Sequence, residues 1–85
     1  MSTLVDTLVS SATAAEGEVG FAARVAETQR RVFQVAYSVL ANAADAEDVA
    51  QDAFLRAYRK YERLRDPGKF RAWVSRIAFR LALNR

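Results

Sequence analysis

Apolar residues recur every three or four positions in three separate stretches of the chain, which is the spacing of helices that bury one face. The first stretch predicts a helix from about Glu18 to Leu40. Asn42 follows this helix and is a suitable residue to end it. The predicted buried stripe consists of Phe21, Val25, Val32, Phe33, Ala36, Tyr37 and Leu40.

A second helix is predicted to begin at Asp45, whose carboxylate can cap the free amides of the first turn. Acidic side chains occupy the first half of this helix and basic side chains its second half, an order that suits the helix dipole. Its predicted inward stripe consists of Val49, Ala50, Ala53, Phe54, Ala57, Tyr58 and Tyr61.

Asp66-Pro67-Gly68 is the clearest turn signal in the chain, and a third helix is predicted to run from Lys69 or Phe70 to Arg85. Its predicted buried stripe is Phe70, Val74, Ile77, Ala78 and Leu81. Of the large apolar side chains, four are predicted to lie together in the core, namely Phe33, Phe54, Ile77 and Leu81.

No long stretch of the chain alternates apolar and polar residues as a β-strand does. The pattern therefore predicts an all-α fold, a three-helix bundle over residues 21–85. Residues 1–20 are expected to form a flexible or short-helical N-terminal arm. The segment from residue 1 to residue 9 is too short and too polar for a signal peptide or a membrane span.

Composition narrows the possible chemistry. The 85 residues suffice for one small domain, and they include no Cys and no His. Disulfides, thiolate or imidazole metal ligation and imidazole acid–base catalysis are therefore excluded, and no Gly-rich phosphate loop is present. We predict a protein that is not an enzyme and needs neither metal nor cofactor, and the absence of Cys permits a cytoplasmic location.

Charge is segregated along the chain. Residues 1–55 carry three basic and eight acidic side chains, whereas residues 56–85 carry ten basic and two acidic ones. The two parts therefore have net charges of −5 and +8, which sum to the overall +3. Two solvated faces would be the simplest interpretation, but segregation by halves favours a polyanion as partner of the second half and a basic surface as partner of the first.

Four residues of the second helix form a candidate docking face. Asp48, Gln51, Asp52 and Leu55 are spaced three and four apart and therefore share one side of the helix. Carboxylates and an amide around an apolar contact suit a basic protein partner. The same spacing also occurs in an ordinary solvated helix start, so the pattern alone leaves both interpretations open.

The segment from residue 61 to residue 85 is a candidate nucleic-acid site. Its basic residues are interleaved with Phe70, Trp73 and Phe79. Sites for single-stranded nucleic acid combine cations for phosphates with aromatic surfaces for unstacked bases. Phe70 is expected in the core and Trp73 at its margin. Phe79 has no place in the buried stripe and is expected to be exposed, either to a partner or to a second domain.

Two motifs resemble conserved region 2 of the sigma-70 family, in particular its extracytoplasmic-function (ECF) group. They are DAEDVAQDAFLRAY at positions 45–58 and FRAWVSRIA at positions 70–78. The resemblance covers residues 21–85. It implies a transcription initiation factor that binds RNA polymerase core and recognises and melts the promoter −10 element as single-stranded DNA.

The resemblance also implies roles for residues. Asp48, Gln51 and Asp52 match the motif that docks on the clamp helices of the largest polymerase subunit. The loop at 62–69 would capture a flipped base of the non-template strand, and the third helix would hold the adjoining strand. The implied DNA-binding residues are Arg63, Leu64, Arg65, Lys69, Arg71, Trp73, Arg76, Arg80 and Asn84.

The chain departs from the family pattern at two positions. The family commonly has an aromatic residue near Leu64 and an Asn near Arg80. The two differences are expected to bear on the base preference of the pocket and to leave general DNA binding intact. Nothing in these residues corresponds to the region 4 domain, which reads the −35 element. An anti-sigma factor is a further partner that the resemblance allows, and no membrane partner is expected.

Two alternatives stay open. A helix-turn-helix-like domain would read duplex DNA with its third helix in the major groove. Against this, the third helix begins with bulky aromatic residues and lacks a polar base-reading set. A helical protein-interaction module without nucleic acid would account for the acidic face. The ten basic residues after Leu55 would then serve only to keep the surface solvated.

Overall fold

A computed structural model describes the backbone of residues 16–85 and the side chains of residues 19–85. The chain forms three α-helices with no strand among the described residues, so the predicted all-α three-helix bundle is confirmed. Two single-turn 3-10 helices connect the second α-helix to the third. The elements in order are α1 (Glu16–Leu40), α2 (Ala43–Lys60), the 3-10 helices Tyr61–Arg63 and Pro67–Lys69, and α3 (Phe70–Leu83).

The predicted N-terminal arm falls mostly on residues 1–15, which lie outside the described residues. Its last five residues, 16–20, belong to α1, so this helix begins two residues before the predicted Glu18. None of the helices within residues 16–85 is both long and apolar enough to span a membrane.

The junction between α1 and α2 corrects one prediction. Ala41 takes a left-handed conformation with φ of 53°, and its amide donates to the Tyr37 carbonyl at 2.8 Å. Asn42 is extended, and its side-chain oxygen accepts a hydrogen bond from the Asp45 amide at 2.9 Å. Asn42 is therefore the N-cap of α2, and Asp45 was the wrong choice. The carboxylate of Asp45 lies in the first turn instead, where the helix dipole still favours it.

The turn before α3 is confirmed. The Asp66 side chain accepts a hydrogen bond from the Gly68 amide at 2.9 Å, and the Asp66 carbonyl accepts one from the Lys69 amide at 2.9 Å. A short Asp side chain can close such a turn on the backbone two residues ahead. These bonds fix the point at which α3 begins.

Because the connections are short, each helix runs antiparallel to the helix before it. Each end of the bundle therefore contains one end of all three helices. One end, here called the aromatic end, brings the Phe21 ring against Tyr58, Tyr61 and Phe70 at centroid distances of 5.1, 5.0 and 5.5 Å, all edge to face. The opposite end, here called the alanine end, buries small side chains such as Ala46 and Ala82, and Leu40 and Leu81 are only partly buried there.

Most residues of the predicted stripes are buried, including Phe54 at 3% exposure. Thr28 continues the stripe of α1 and is buried because its hydroxyl donates to the Arg24 carbonyl at 2.7 Å. Tyr37 and Tyr58 were predicted inside but lie at the surface. Other predicted core side chains are only half-buried against the core, namely Phe33, Leu40, Tyr61, Ile77 and Leu81.

Candidate docking face and nucleic-acid interface

The four candidate docking residues lie along one outer strip of α2. Asp48, Gln51 and Leu55 are exposed and Asp52 is half-exposed, because the opposite side of the helix turns its alanines and Phe54 into the core. Leu55 is 44% exposed although it is apolar. The strip therefore presents two carboxylates, an amide and a leucine to a partner.

Intramolecular arginines already contact the carboxylates of this strip. Arg56 Nε lies 3.2 Å from Asp52 Oδ1, one helical turn away. Arg85 Nη2 lies 3.4 Å from both Asp45 Oδ1 and Asp48 Oδ2, which ties the end of the chain to the start of α2. All of these groups are solvent-accessible, and exposed pairs contribute about 0–1 kcal/mol. A basic partner can therefore replace the arginines at little cost in free energy.

An apolar groove runs beside the docking strip, between α1 and α2. Its volume is about 220 Å³, and its Phe33 ring stacks on Tyr37 at 5.9 Å. Sequence reasoning placed Phe33 in the core and missed the groove, although an aromatic pair four residues apart was visible in the sequence. The lining residues are Gln29, Arg30, Phe33, Glu47, Ala50, Gln51 and Phe54.

A second groove, here called the basic groove, lies between the end of α2 and α3. Its volume is about 300 Å³, and it is lined by Lys60, Trp73, Arg76, Ile77 and Arg80. The half-buried Trp73 ring is supported from beneath by Phe70, at 6.0 Å and an interplanar angle of 63°. The groove joins three cations to an indole face, and Lys60 is a member that sequence reasoning did not single out.

Most cations of residues 56–85 form no ion pair with a described side chain. Among the described side chains, every ion pair uses Arg56 or Arg85 as its cation. Among the side chains of residues 19–85, the other basic residues between positions 59 and 80 have no acidic partner, so their charges are open to solvent and counterions. Those unpaired and exposed cations are Arg59, Lys60, Arg63, Arg65, Lys69, Arg71, Arg76 and Arg80.

The predicted DNA-binding residues are not all in one place. Trp73, Arg76 and Arg80 meet in the basic groove, whereas Arg63, Arg65, Lys69 and Arg71 surround the loop before α3 and its first turn. Asn84 follows the last turn of α3, about 16 Å along the helix axis from Trp73.

Leu64, the predicted apolar contact for a flipped base, is half-buried and packs against the core. Its amide donates to the Tyr61 carbonyl at 3.0 Å. A pocket of about 240 Å³ lies instead between the Pro67-Gly68 turn and α1. We call it the turn pocket, and its lining residues are Arg24, Glu27, Thr28, Pro67, Gly68, Phe70 and Arg71.

Comparison with known proteins places this sequence in a family. The family model described as sigma-70 region 2 matches residues 24–85. The ECF RNA polymerase sigma factor SigW of Bacillus subtilis is 40% identical over 55 residues, which are 65% of this chain and 29% of that protein. The ECF RNA polymerase sigma factor SigE of Mycolicibacterium smegmatis is 39% identical over 54 residues, 64% of this chain and 21% of that protein.

The RNA polymerase sigma-H factor of Pseudomonas aeruginosa is 35% identical over 60 residues, 71% of this chain and 31% of that protein. The chain thus spans about a fifth to a third of the length of these curated relatives. No solved structure gives a significant match. The three-helix bundle and the family match over most of its length lead to one assignment: the chain belongs to the sigma-70 family, as a region 2 domain of the ECF group.

Proposed function

We propose that this chain is the part of a transcription initiation factor that docks on RNA polymerase core and holds the promoter −10 element as single-stranded DNA. The observation that carries the proposal is the separation of two surfaces of opposite character. One is the acidic strip of α2 around Leu55, and the other is the set of unpaired cations around Trp73.

The docking strip suits the clamp helices of the largest polymerase subunit, the partner that the family resemblance implies. Basic side chains of a helix that binds along α2 would replace Arg85 as the partner of Asp48 and Arg56 as the partner of Asp52. Each exposed intramolecular ion pair would then be replaced by an ion pair between the two proteins. Leu55 would then be covered in the middle of the contact. Complementary charge of this kind sets the register and the association rate of an interface.

The basic groove suits single-stranded DNA. The partly exposed indole ring of Trp73 offers an aromatic surface on which a base can stack, and Lys60, Arg76 and Arg80 lie around it at positions suited to phosphates. A strand in this groove would continue toward the loop at 62–69, where further unpaired cations lie. We propose that the non-template strand follows this path after the duplex has opened.

Readout of duplex DNA fits the structure less well. Base edges in the major groove are distinguished by hydrogen-bonding side chains on the inserted helix. The exposed positions of α3 combine arginines with the apolar side chains of Phe79, 45% exposed, and Leu83. Phe79 and Leu83 offer no hydrogen bonds to base edges, which disfavours the helix-turn-helix alternative.

Three ligands test the proposal: a single-stranded −10-like oligonucleotide, the same sequence as duplex, and an isolated clamp-helix fragment. Binding is measured by fluorescence anisotropy for this chain alone and for its complex with polymerase core. We expect binding to the clamp fragment and a preference for the single strand. If both the chain and its complex prefer closed duplex, the proposed function is wrong. A cytoplasmic location and control by an anti-sigma factor stay predictions of the resemblance.

A further inference from the structure

The apolar groove between α1 and α2 has room for one aromatic ring. Its volume is about 220 Å³, whereas an apolar cavity of about 150 Å³ already suffices to bind benzene. Its apolar lining comes from Phe33 on α1 and from Ala50 and Phe54 on α2. The groove therefore matches a phenyl ring in both size and character.

Phe79 carries the phenyl ring that is available for such a site. It is 45% exposed, whereas the other four phenylalanines of the chain are buried or half-buried. Leu83 lies one turn further along α3 and is 59% exposed, so the two side chains form one apolar patch. Neither of them lines the groove of its own chain. A contact between this patch and the groove would therefore join two copies of the domain.

The charges around the patch and around the groove are opposite in sign. Arg76 and Arg80 lie on the same side of Phe79, about 60° and about 100° around the helix axis. Neither arginine forms an ion pair with a described side chain. Glu47 lines the groove on the α2 side, next to the docking strip, whereas Arg30 lines it on the α1 side. The arginines of an incoming α3 would therefore face α2, since complementary charge fixes the orientation of a contact.

We propose that the domain associates with itself by placing Phe79 of one copy in the apolar groove of a second copy. Each contact uses one ring and one groove, so it is heterologous. Gln51 lines this groove and belongs to the docking strip, and Arg76 and Arg80 line the basic groove. Self-association therefore covers part of the docking strip in one copy and part of the basic groove in the other. Competition with polymerase and DNA follows; this consequence rests on the proposed function, whereas the self-association does not.

Sedimentation equilibrium of the 85-residue chain measures the self-association. The average mass should rise above the 9.5 kDa of one chain between about 10 µM and about 1 mM, where weak protein contacts become populated. Phe79→Ser should weaken the association about tenfold or more, because it removes the ring that the contact buries. Val19→Ser is the matched control. Val19 is 54% exposed and lies outside the patch and the groove, so this variant should associate like the parent chain.

A second variant, Ala50→Leu, fills the groove from α2 and should also stay at the mass of one copy. Ala50 is 7% exposed, so thermal unfolding must first show that this variant keeps the fold. Glu47→Arg, an exposed change at the rim of the groove, takes its place if the fold is lost.

The two variants should complement each other when they are mixed. Phe79→Ser keeps an intact groove, and Ala50→Leu keeps an intact ring. The mixture should therefore associate although neither variant does so alone. Its mass should stop at that of two chains, because the pair has no further ring and groove with which to grow.

A parent chain that stays at the mass of one copy up to about 1 mM overturns the inference, and the patch and the groove then serve other partners. The inference is also wrong if Phe79→Ser associates like the parent chain, if Val19→Ser abolishes association equally, or if the mixed variants stay apart.

The clamp-helix fragment separates this inference from the proposed function. Its addition should return the parent chain to single copies, because the docking strip and the groove share Gln51. A fragment that binds without reducing the mass places the contact between copies elsewhere and overturns the inference. A fragment that does not bind contradicts the proposed function, while the result with the mixed variants still decides the self-association.

Discussion

Replacing Lys60, Arg76 and Arg80 with glutamine removes three positive charges that line one groove and form no ion pair with any described side chain. Each contact between a cation and a phosphate of a single strand adds about 0.7 to the slope of log affinity against log salt concentration. If all three residues contact phosphates, the triple variant should lose about 2.1 from that slope. A titration at several salt concentrations can resolve a change in slope of this size.

The expected loss of affinity follows from the same slope. A fourfold rise in salt, from about 50 to about 200 mM, would weaken the parent chain roughly twentyfold more than the triple variant. The two proteins should therefore differ most at low salt and converge as salt rises. Fluorescence anisotropy with a labelled single-stranded oligonucleotide, repeated at several salt concentrations, measures both affinities.

A second triple variant controls for net charge. Arg30, Arg31 and Arg56 are exposed cations outside the basic groove, and Arg56 is already paired with Asp52. Changing these three to glutamine removes the same total charge and should leave most of the slope intact. If both triple variants lower the slope equally, binding reflects net charge alone, and the groove is not the path of the strand.

Trp73→Ala should weaken single-strand binding by about 1–3 kcal/mol with little change in the salt slope, since it removes a stacking surface and no charge; an unchanged affinity in the same titration would contradict this. Combined Asp48→Ala, Gln51→Ala and Asp52→Ala should leave the fold intact and weaken capture of the clamp-helix fragment, because a charge left unpaired in an interface costs about 2–5 kcal/mol; undiminished capture would reject the docking face. Phe54→Ala should lower the free energy of unfolding by about 3–5 kcal/mol in a denaturant titration, and a shift well below 1 kcal/mol would mean that its ring is not in the core.

Local patterns in the sequence were enough to predict the bundle. The period of the apolar positions located three helices, and the Asp66-Pro67-Gly68 turn located the start of the third. The start of α2 was misplaced because Asn42 and Asp45 are both good caps. The choice between them depends on the left-handed turn at Ala41, which no sequence signal announced.

Features that arise between helices were harder to predict. Ile77 and Leu81 lie at the edge of the α3 stripe, where two neighbouring helices cannot cover them completely, so both are only half-buried. Lys60 lines the same groove as Trp73, and Glu27 lines the same pocket as Arg71, although the members of each pair lie on different helices. Periodicity assigns a residue to a face of its own helix, but it does not reveal which face of another helix lies opposite.

The contrast between the two ends of the bundle implies that one end of the domain unfolds locally more often than the other. Rings at the aromatic end, around Phe21 and Phe70, remove large areas from water, whereas Ala46 and Ala82 at the alanine end remove little. Local opening starts where the least free energy is lost. Backbone amides in the last turn of α1 and the first turn of α2 should therefore exchange with deuterium before those flanking the rings. The docking strip begins at this looser end, so a bound polymerase would slow exchange most where the free domain is most easily opened.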